Sequence, residues 1–206
     1  MSAAAARACA IAALAAACWT EPPGIDPASD PSFLAAQLAA QDLRWEDAYA
    51  HMGAALGRAE RTPWTSTERL GEYHYHYGRY AGLTCRFDEA ERELGLAHDY
   101  LERAKGPRYT ATLELAELAF GRKRYPLAVD RFKRALAEMG ADEPLSETLA
   151  LSLDDYAVAL DETGDRAGAV AVREHVYAWR KARTSPPESV PRPPYGRDCP
   201  EASARL

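Results

Sequence analysis

One short pattern returns four times along the 206-residue chain, and it constrains the fold more than any other feature. RWEDAYAHMGAAL, RFDEAERELGLAH, RYPLAVDRFKRAL and DRAGAVAVREHV stack on Ala48, Ala90, Ala128 and Ala169, in steps of 42, 38 and 41 residues. Three residues before each alanine stand Trp45, Phe87, Tyr125 and Arg166, and seven after it stand Ala55, Ala97, Ala135 and Val176. Twelve residues ahead come Ala36, Gly78, Ala116 and Ala157, and nine ahead come Ala39, Ala81, Ala119 and Leu160. A small side chain among apolar ones at helical spacing lets a second helix approach closely. Short turns at Leu43-Arg44, Cys85-Arg86, Lys123-Arg124 and Gly164-Asp165 divide each unit in two. Each unit therefore reads as an antiparallel helix pair with a small-residue seam. Such units cannot bury their apolar faces alone and must stack on one another.

Boundary residues agree. Asp30-Pro31, Ser66, Pro107, Pro126 and Pro144 stand where helices should begin, and Gly106, Gly140 and Gly164 where they should end. The stretch EYHYHYGRY, Glu72 to Tyr80, falls in the first helix of the second unit. As a strand it would aim His74 and His76 at one face. On a helix, residues two apart lie about 200° apart, so the pair cannot chelate one ion. His74 is expected on the packed side, half-buried. His76 is expected to share a face with Glu72, Tyr75 and Arg79.

These units resemble the tetratricopeptide repeat, which has a small residue midway along its first helix, an aromatic at the turn and alanine in its second helix. The resemblance covers nearly all of residues 30–183. Repeats two and three match well. The fourth departs at Arg166 and Arg173, and the first has a weak opening. The steps exceed the usual 34 or so residues. The connectors TPWTST, AKGPRY and GADEPLSE take up the surplus, and the lengths are similar to the longer repeats of kinesin light chains. The resemblance implies an all-α, right-handed superhelical array of antiparallel helix pairs, an α-solenoid of about four repeats. It also implies a concave groove, lined by the first helices, that holds a peptide or helix of another protein. Residues expected there are Phe33, Gln37, Glu72, Tyr75, His76, Arg79, Leu113, Glu114, Glu117, Phe120, Asp154, Asp155, Val158, Asp161 and Glu162. Aromatic anchors thus give way to an acidic end, so the expected partner carries apolar side chains and a basic stretch. The lysine and asparagine clamp of chaperone-binding members is absent, with Tyr75 and Arg79, or Leu113 and Glu117, in its place.

The ends read differently. MSAAAARACAIAALAAAC has one basic residue, Arg7, and an uncharged run too short to cross a bilayer, the length of a signal-peptide core. LAAAC resembles the lipobox of bacterial lipoproteins, with Ala15 where leucine is usual. Residues 1–17 are expected to be a signal peptide and Cys18 the lipidated residue, with cleavage after Ala17 by ordinary signal peptidase as the alternative. Residues 18–29 begin a Pro-rich tether, and residues 184–206 a Pro-rich disordered tail. With the leader removed and Cys18 lipidated, Cys85 and Cys199 remain, either paired in an oxidising periplasm or free.

Other chemistry has no motif. HExxH, CxxC, an EF-hand loop, GxxxxGK[ST] and GxSxG are missing from the sequence, so no catalytic residue, metal ligand or cofactor is expected. The formal net charge of −6 and the lack of a basic stripe disfavour nucleic acid. The expectation is a non-enzymatic scaffold, exported and lipid-anchored facing the periplasm. The alternatives are a cytoplasmic adaptor with an incidental alanine-rich leader, and a ligand- or metal-binding protein using the Tyr/His cluster. The last helix, carrying Val172, Val176 and Trp179, is expected to leave an uncovered end that invites dimerisation or docking of another protein, unless the tail shields it.

Overall fold

The computed structural model describes residues 29–140, 143–183, 193–196 and 199, and every regular element longer than a turn among them is an α-helix. In order these are α1 (Pro31–Gln41), α2 (Trp45–Arg61), α3 (Thr67–Leu83), α4 (Phe87–Ala104), α5 (Tyr109–Gly121), α6 (Tyr125–Met139), α7 (Glu147–Glu162) and α8 (Arg166–Ala182). The first 28 residues, with Cys18 and most of the tether, lie outside the described residues.

The helices pair as hairpins α1–α2, α3–α4, α5–α6 and α7–α8, and the second helix of each packs on the first of the next. The first helices α3, α5 and α7 also touch in succession. Small residues set this spacing. Ala36, Ala116 and Ala157 are fully buried, as are Ala48, Ala90, Ala128 and Ala169. At Gly78 a Cβ would come within 2.8 Å of Leu94 Cγ and 3.0 Å of Leu94 N, so α3 lies almost against the backbone of α4. The all-α array of helix pairs is the observed fold.

Side-chain caps open the helices where expected. Asp30 accepts from the N–H groups of Ser32 (2.8 Å) and Phe33 (3.1 Å) and pairs with Arg58 at 2.5 Å. Ser66 and Ser146 cap α3 and α7 by accepting from Arg69 N and Leu149 N. Every hairpin turns by the same device. Leu43 (φ 59), Cys85 (φ 66), Lys123 (φ 57) and Gly164 (φ 90) occupy the left-handed region at equivalent positions. The next N–H then closes the helix end: Arg44 to Ala39 O (2.8 Å), Arg86 to Ala81 O (2.8 Å), Arg124 to Ala119 O (2.9 Å) and Asp165 to Leu160 O (2.9 Å). Three of the four positions hold a side chain where glycine is favoured. Leu43 is 55% exposed, so it has little burial to lose. Leu43→Gly is therefore expected to raise stability by about 0.5–1 kcal/mol, and Gly164→Ala to lower it by a similar amount, both read from urea midpoints.

The core divides along the arc. Phe33, Met52, Leu56 and Tyr73 fill one end, and Phe132, Leu149, Leu153, Tyr156 and Val176 the other. A polar lock joins the hairpins outside the first cluster: Tyr49 and Tyr77 stack at 5.0 Å and both hydroxyls reach Glu89, at 2.8 and 3.0 Å. The last helix does expose apolar side chains, but not the ones named from the sequence. Val176 is buried against α7, Val172 and Trp179 pack beside it, and the exposed apolar residues of α8 are Val170 and Tyr177. Val176 is taken up by its own hairpin, with Val172 and Trp179 half-buried beside it.

The tail corrects a second expectation. Pro193–Gly196 and Cys199 are seated on the helices rather than disordered. Tyr195 is buried, and Cys199 is disulfide-bonded to Cys85 in the α3–α4 turn, with Cα atoms 5.7 Å apart. This tail lies on α3 and α5, so these residues do not shield α8.

Candidate partner-binding site

The inner face centres on one carboxylate. Glu114, in the middle of α5, is buried because the adjoining first helices α3 and α7 press on both sides. Arg79 from α3 reaches it with Nε 3.1 Å from Oε1, an ion pair off the line of a well-aligned hydrogen bond. The Tyr75 hydroxyl donates to Oε1 at 3.2 Å, and the Tyr195 hydroxyl donates to Oε2 at 2.6 Å. The Arg79 guanidinium also lies 5.7 Å from the Tyr75 ring centre. The Glu114 charge holds the Arg79 guanidinium firmly protonated, and burial beside that carboxylate pushes the Tyr195 phenol well up.

Beside this hub opens a cleft of about 210 Å³, lined by Arg79, Leu83, Glu114, Glu117, Leu151, Asp154, Asp155 and the tail residues Pro193, Pro194 and Tyr195. A shallower hollow runs past Gln37, Trp45, His76, Arg79 and Tyr80. A third, by Glu72, Tyr75 and His76, is lined on its other side by Leu101, Pro107 and Thr110. The structure thus brings together Gln37, Glu72, Tyr75, His76, Arg79, Glu117, Asp154 and Asp155 along one side of the array.

Three expected groove residues are placed differently. Phe33 is core, only 5% exposed, with its ring edge-on to Tyr73 (5.3 Å) and His76 (5.1 Å). Leu113 is buried with the α6–α8 side chains, because the close seam between successive first helices covers it. Phe120 is half-buried at 5.9 Å from Tyr125, beside its own turn. The acidic end is partly neutralised. Asp154 pairs with Arg180 at 2.8 Å and Asp161 with Arg173 at 2.5 Å. Arg173 departs from the repeat pattern and Arg180 lies a further two turns along α8, so α8 supplies the counter-charges that the pattern did not anticipate.

The histidines point apart, as a helix requires. His74 is fully packed rather than half-buried, with Nδ1 2.8 Å from Glu93 and its ring stacked on Tyr100. Burial pushes the Glu93 carboxyl up, but His74 and Arg92 outweigh it and hold the group below its ordinary range. His76 sits among Phe33, Tyr75 and Tyr80. Among the described residues, His98, Asp99 and Glu102 come within metal-ligand distance of one another, yet Glu138 and the Arg134 guanidinium already occupy His98 Nε2 at 3.2 and 2.8 Å.

Burial, and then the Arg79 charge, lower His76 to about 3. Its unfolded value lies near 6.5, so between those limits the unfolded chain binds more protons. Stability from this group is present above pH 6.5 and lost as the pH falls towards 3. The expected loss is about 1–3 kcal/mol, below the full linkage value because the ring edge reaches solvent. Urea titrations at pH 7 and pH 4.5 should show a smaller difference for His76→Gln than for the unaltered chain.

Sequence reasoning missed the seat of Tyr195. Its floor is two glycines at helix ends, Gly82 in α3 and Gly121 in α5, with Leu118 beside them. The one signal was Cys199 standing four residues after a tyrosine in a proline-rich tail, with Cys85 as its counterpart.

No helix among the described residues is long and apolar enough to cross a membrane. No family model and no curated protein matches the sequence. The fold is similar to that in a crystal structure of BtubC (BKLC) from P. vanneervenii, with a TM-score of 0.64 and 17% identity over 82% of this chain and 72% of that one. At that identity the likeness is one of fold, and it sets this chain among all-helical proteins of related architecture.

Proposed function

We propose that the protein is a non-enzymatic, tetratricopeptide-like scaffold that holds a segment of another protein along the inner faces of α3, α5 and α7. The observation that carries this reading is the Arg79–Glu114 hub with its adjoining cleft, already lined on one side by a non-helical peptide segment, the chain's own Pro193–Tyr195. Extended segments on repeat arrays are recognised by charge and by pockets for single side chains. Glu114, Glu117, Asp154 and Asp155 line the cleft, and even with Arg79 on Glu114 and Arg180 on Asp154 carboxylates outnumber cations there, which favours a partner with a lysine or arginine next to apolar residues. Lysine at both Asp154 and Asp155 is expected to lower the association rate and flatten its salt dependence, measured by surface plasmon resonance with the captured partner. Lysine at Asp161, tied to Arg173 farther along α7, is expected to change neither.

Export and lipid anchoring at Cys18 belong to the same reading. The disulfide between Cys85 and Cys199 supports it, because such bonds persist in oxidising compartments. Mass spectrometry of the mature N-terminus tests it: a diacylglyceryl-modified Cys18 is the expected result, and a retained Ser2 replaces this reading with a cytoplasmic adaptor. Co-purification from the envelope fraction supplies the partner.

A further inference from the structure

Tyr195 is seated as a ligand is seated. A Cβ at Gly82 would come within 2.6 Å of its ring, and one at Gly121 within 2.9 Å of its own Cβ, so side chains at either position would fill the space. Leu118 and Phe87 wall the seat, and the phenol donates to Glu114, a carboxylate shared with Tyr75 and Arg79. Pro193 and Pro194 lead the segment in along the cleft, and Gly196, at φ +80, turns it away towards Cys199. A disulfide alone would tether a tail. Two helical glycines and a buried acceptor do something further: they select a tyrosine.

We propose that this seat is a binding site for a Pro-Pro-Tyr-Gly peptide segment, that the chain's own tail is its resident occupant, and that the Cys85–Cys199 disulfide is the latch that keeps other segments out. Closed, the latch holds Tyr195 beside its seat at an effective concentration no free peptide reaches. Cys85 and Cys199 are each half-buried rather than enclosed in the core. A dithiol reductant of the disulfide-exchange class opens the latch. One thiolate attacks a cysteine sulfur, the other cysteine leaves as thiolate and takes up a proton, and the second thiol of the reductant resolves the mixed disulfide. The protein gains two electrons and two protons, and the reductant becomes a disulfide. A segment of the same chemistry on another protein can then exchange with the tail.

This inference rests on the inner face being a peptide-binding surface, but its test needs no outside partner. The probe is a fluorescent peptide of residues 191–198, PRPPYGRD, titrated into the full chain by anisotropy. The oxidised chain is expected to leave it free. The Cys199→Ser/Tyr195→Ala double variant, with its helix content checked by circular dichroism, is expected to bind at least tenfold more tightly. Tyrosine to alanine in the peptide should abolish that binding, and tyrosine to phenylalanine should weaken it at least fivefold. The dithiothreitol-reduced unaltered chain provides the second measurement, since it needs no substitution, and it too should bind more tightly than the oxidised chain. Equal binding by oxidised and opened chains overturns the latch, and binding that ignores the tyrosine overturns the seat. Either failure leaves a partner elsewhere on the inner face untouched, and failure to find such a partner leaves this result standing.

Discussion

Valine at Gly78 is expected to lower the stability of the array by about 3 kcal/mol, the upper end of what overpacking a core imposes. Gly78 lies midway along α3, where a residue with a side chain would ordinarily favour the helix by up to about 1 kcal/mol. The local preference loses because the first added carbon already meets Leu94 Cγ at 2.8 Å and Leu94 N at 3.0 Å. A side-chain end can turn away, but a backbone nitrogen cannot without moving α4. Valine adds two further methyl groups to that contact. For a domain of this size the change corresponds to a melting temperature lower by about 10 °C. Gly95 is the control within the same hairpin. A Cβ there meets nothing within 4 Å, so Gly95→Ala should stabilise the protein by up to about 1 kcal/mol. Thermal unfolding of both variants checks the pair. Equal effects at the two sites would mean that α3 and α4 are not in close contact at Gly78.

Opening the Cys85–Cys199 disulfide is expected to cost about 2–4 kcal/mol. The bond joins residues 114 positions apart, so it removes a large loop's worth of freedom from the unfolded chain. The lower figure applies when the reduced tail swings free of the folded helices, because closing the short remaining arm then offsets part of the gain. The upper figure applies when Tyr195 stays in its seat without the bond. Thermal unfolding of the oxidised chain against the Cys85→Ser/Cys199→Ser variant measures the total. Adding Tyr195→Ala to that variant shows how much of the docking survives. A melting temperature indifferent to both changes would place the tail off the helices in solution.

Most of the framework was legible in the sequence because it follows from local spacing. Small residues recurring at Ala36, Gly78, Ala116 and Ala157 require helices in close approach. The capping residues Asp30 and Ser66 and the turn at Gly164 depend only on neighbours a few positions away. The candidate site was legible in part. The repeat resemblance put Tyr75, His76, Arg79, Glu117, Asp154 and Asp155 on the groove side, and each lines one of the hollows along the first helices. Phase says which side of a helix a residue occupies, however, and not how near the adjacent helix comes. Phe33 and Leu113 therefore went into the core.

The rest was decided by groups far apart in the chain. Arg180 and Arg173 neutralise Asp154 and Asp161 only because α8 folds back over α7. Tyr195 finds Glu114 across 81 residues, and Cys199 finds Cys85 across 114. A repeat pattern records the contacts every unit makes with the next, and those contacts suffice to determine the helices, their pairing and their seam. A single contact made once, between a non-repeating tail and a pair of glycines, leaves no period in the sequence. Only the folded arrangement brings its two sides together.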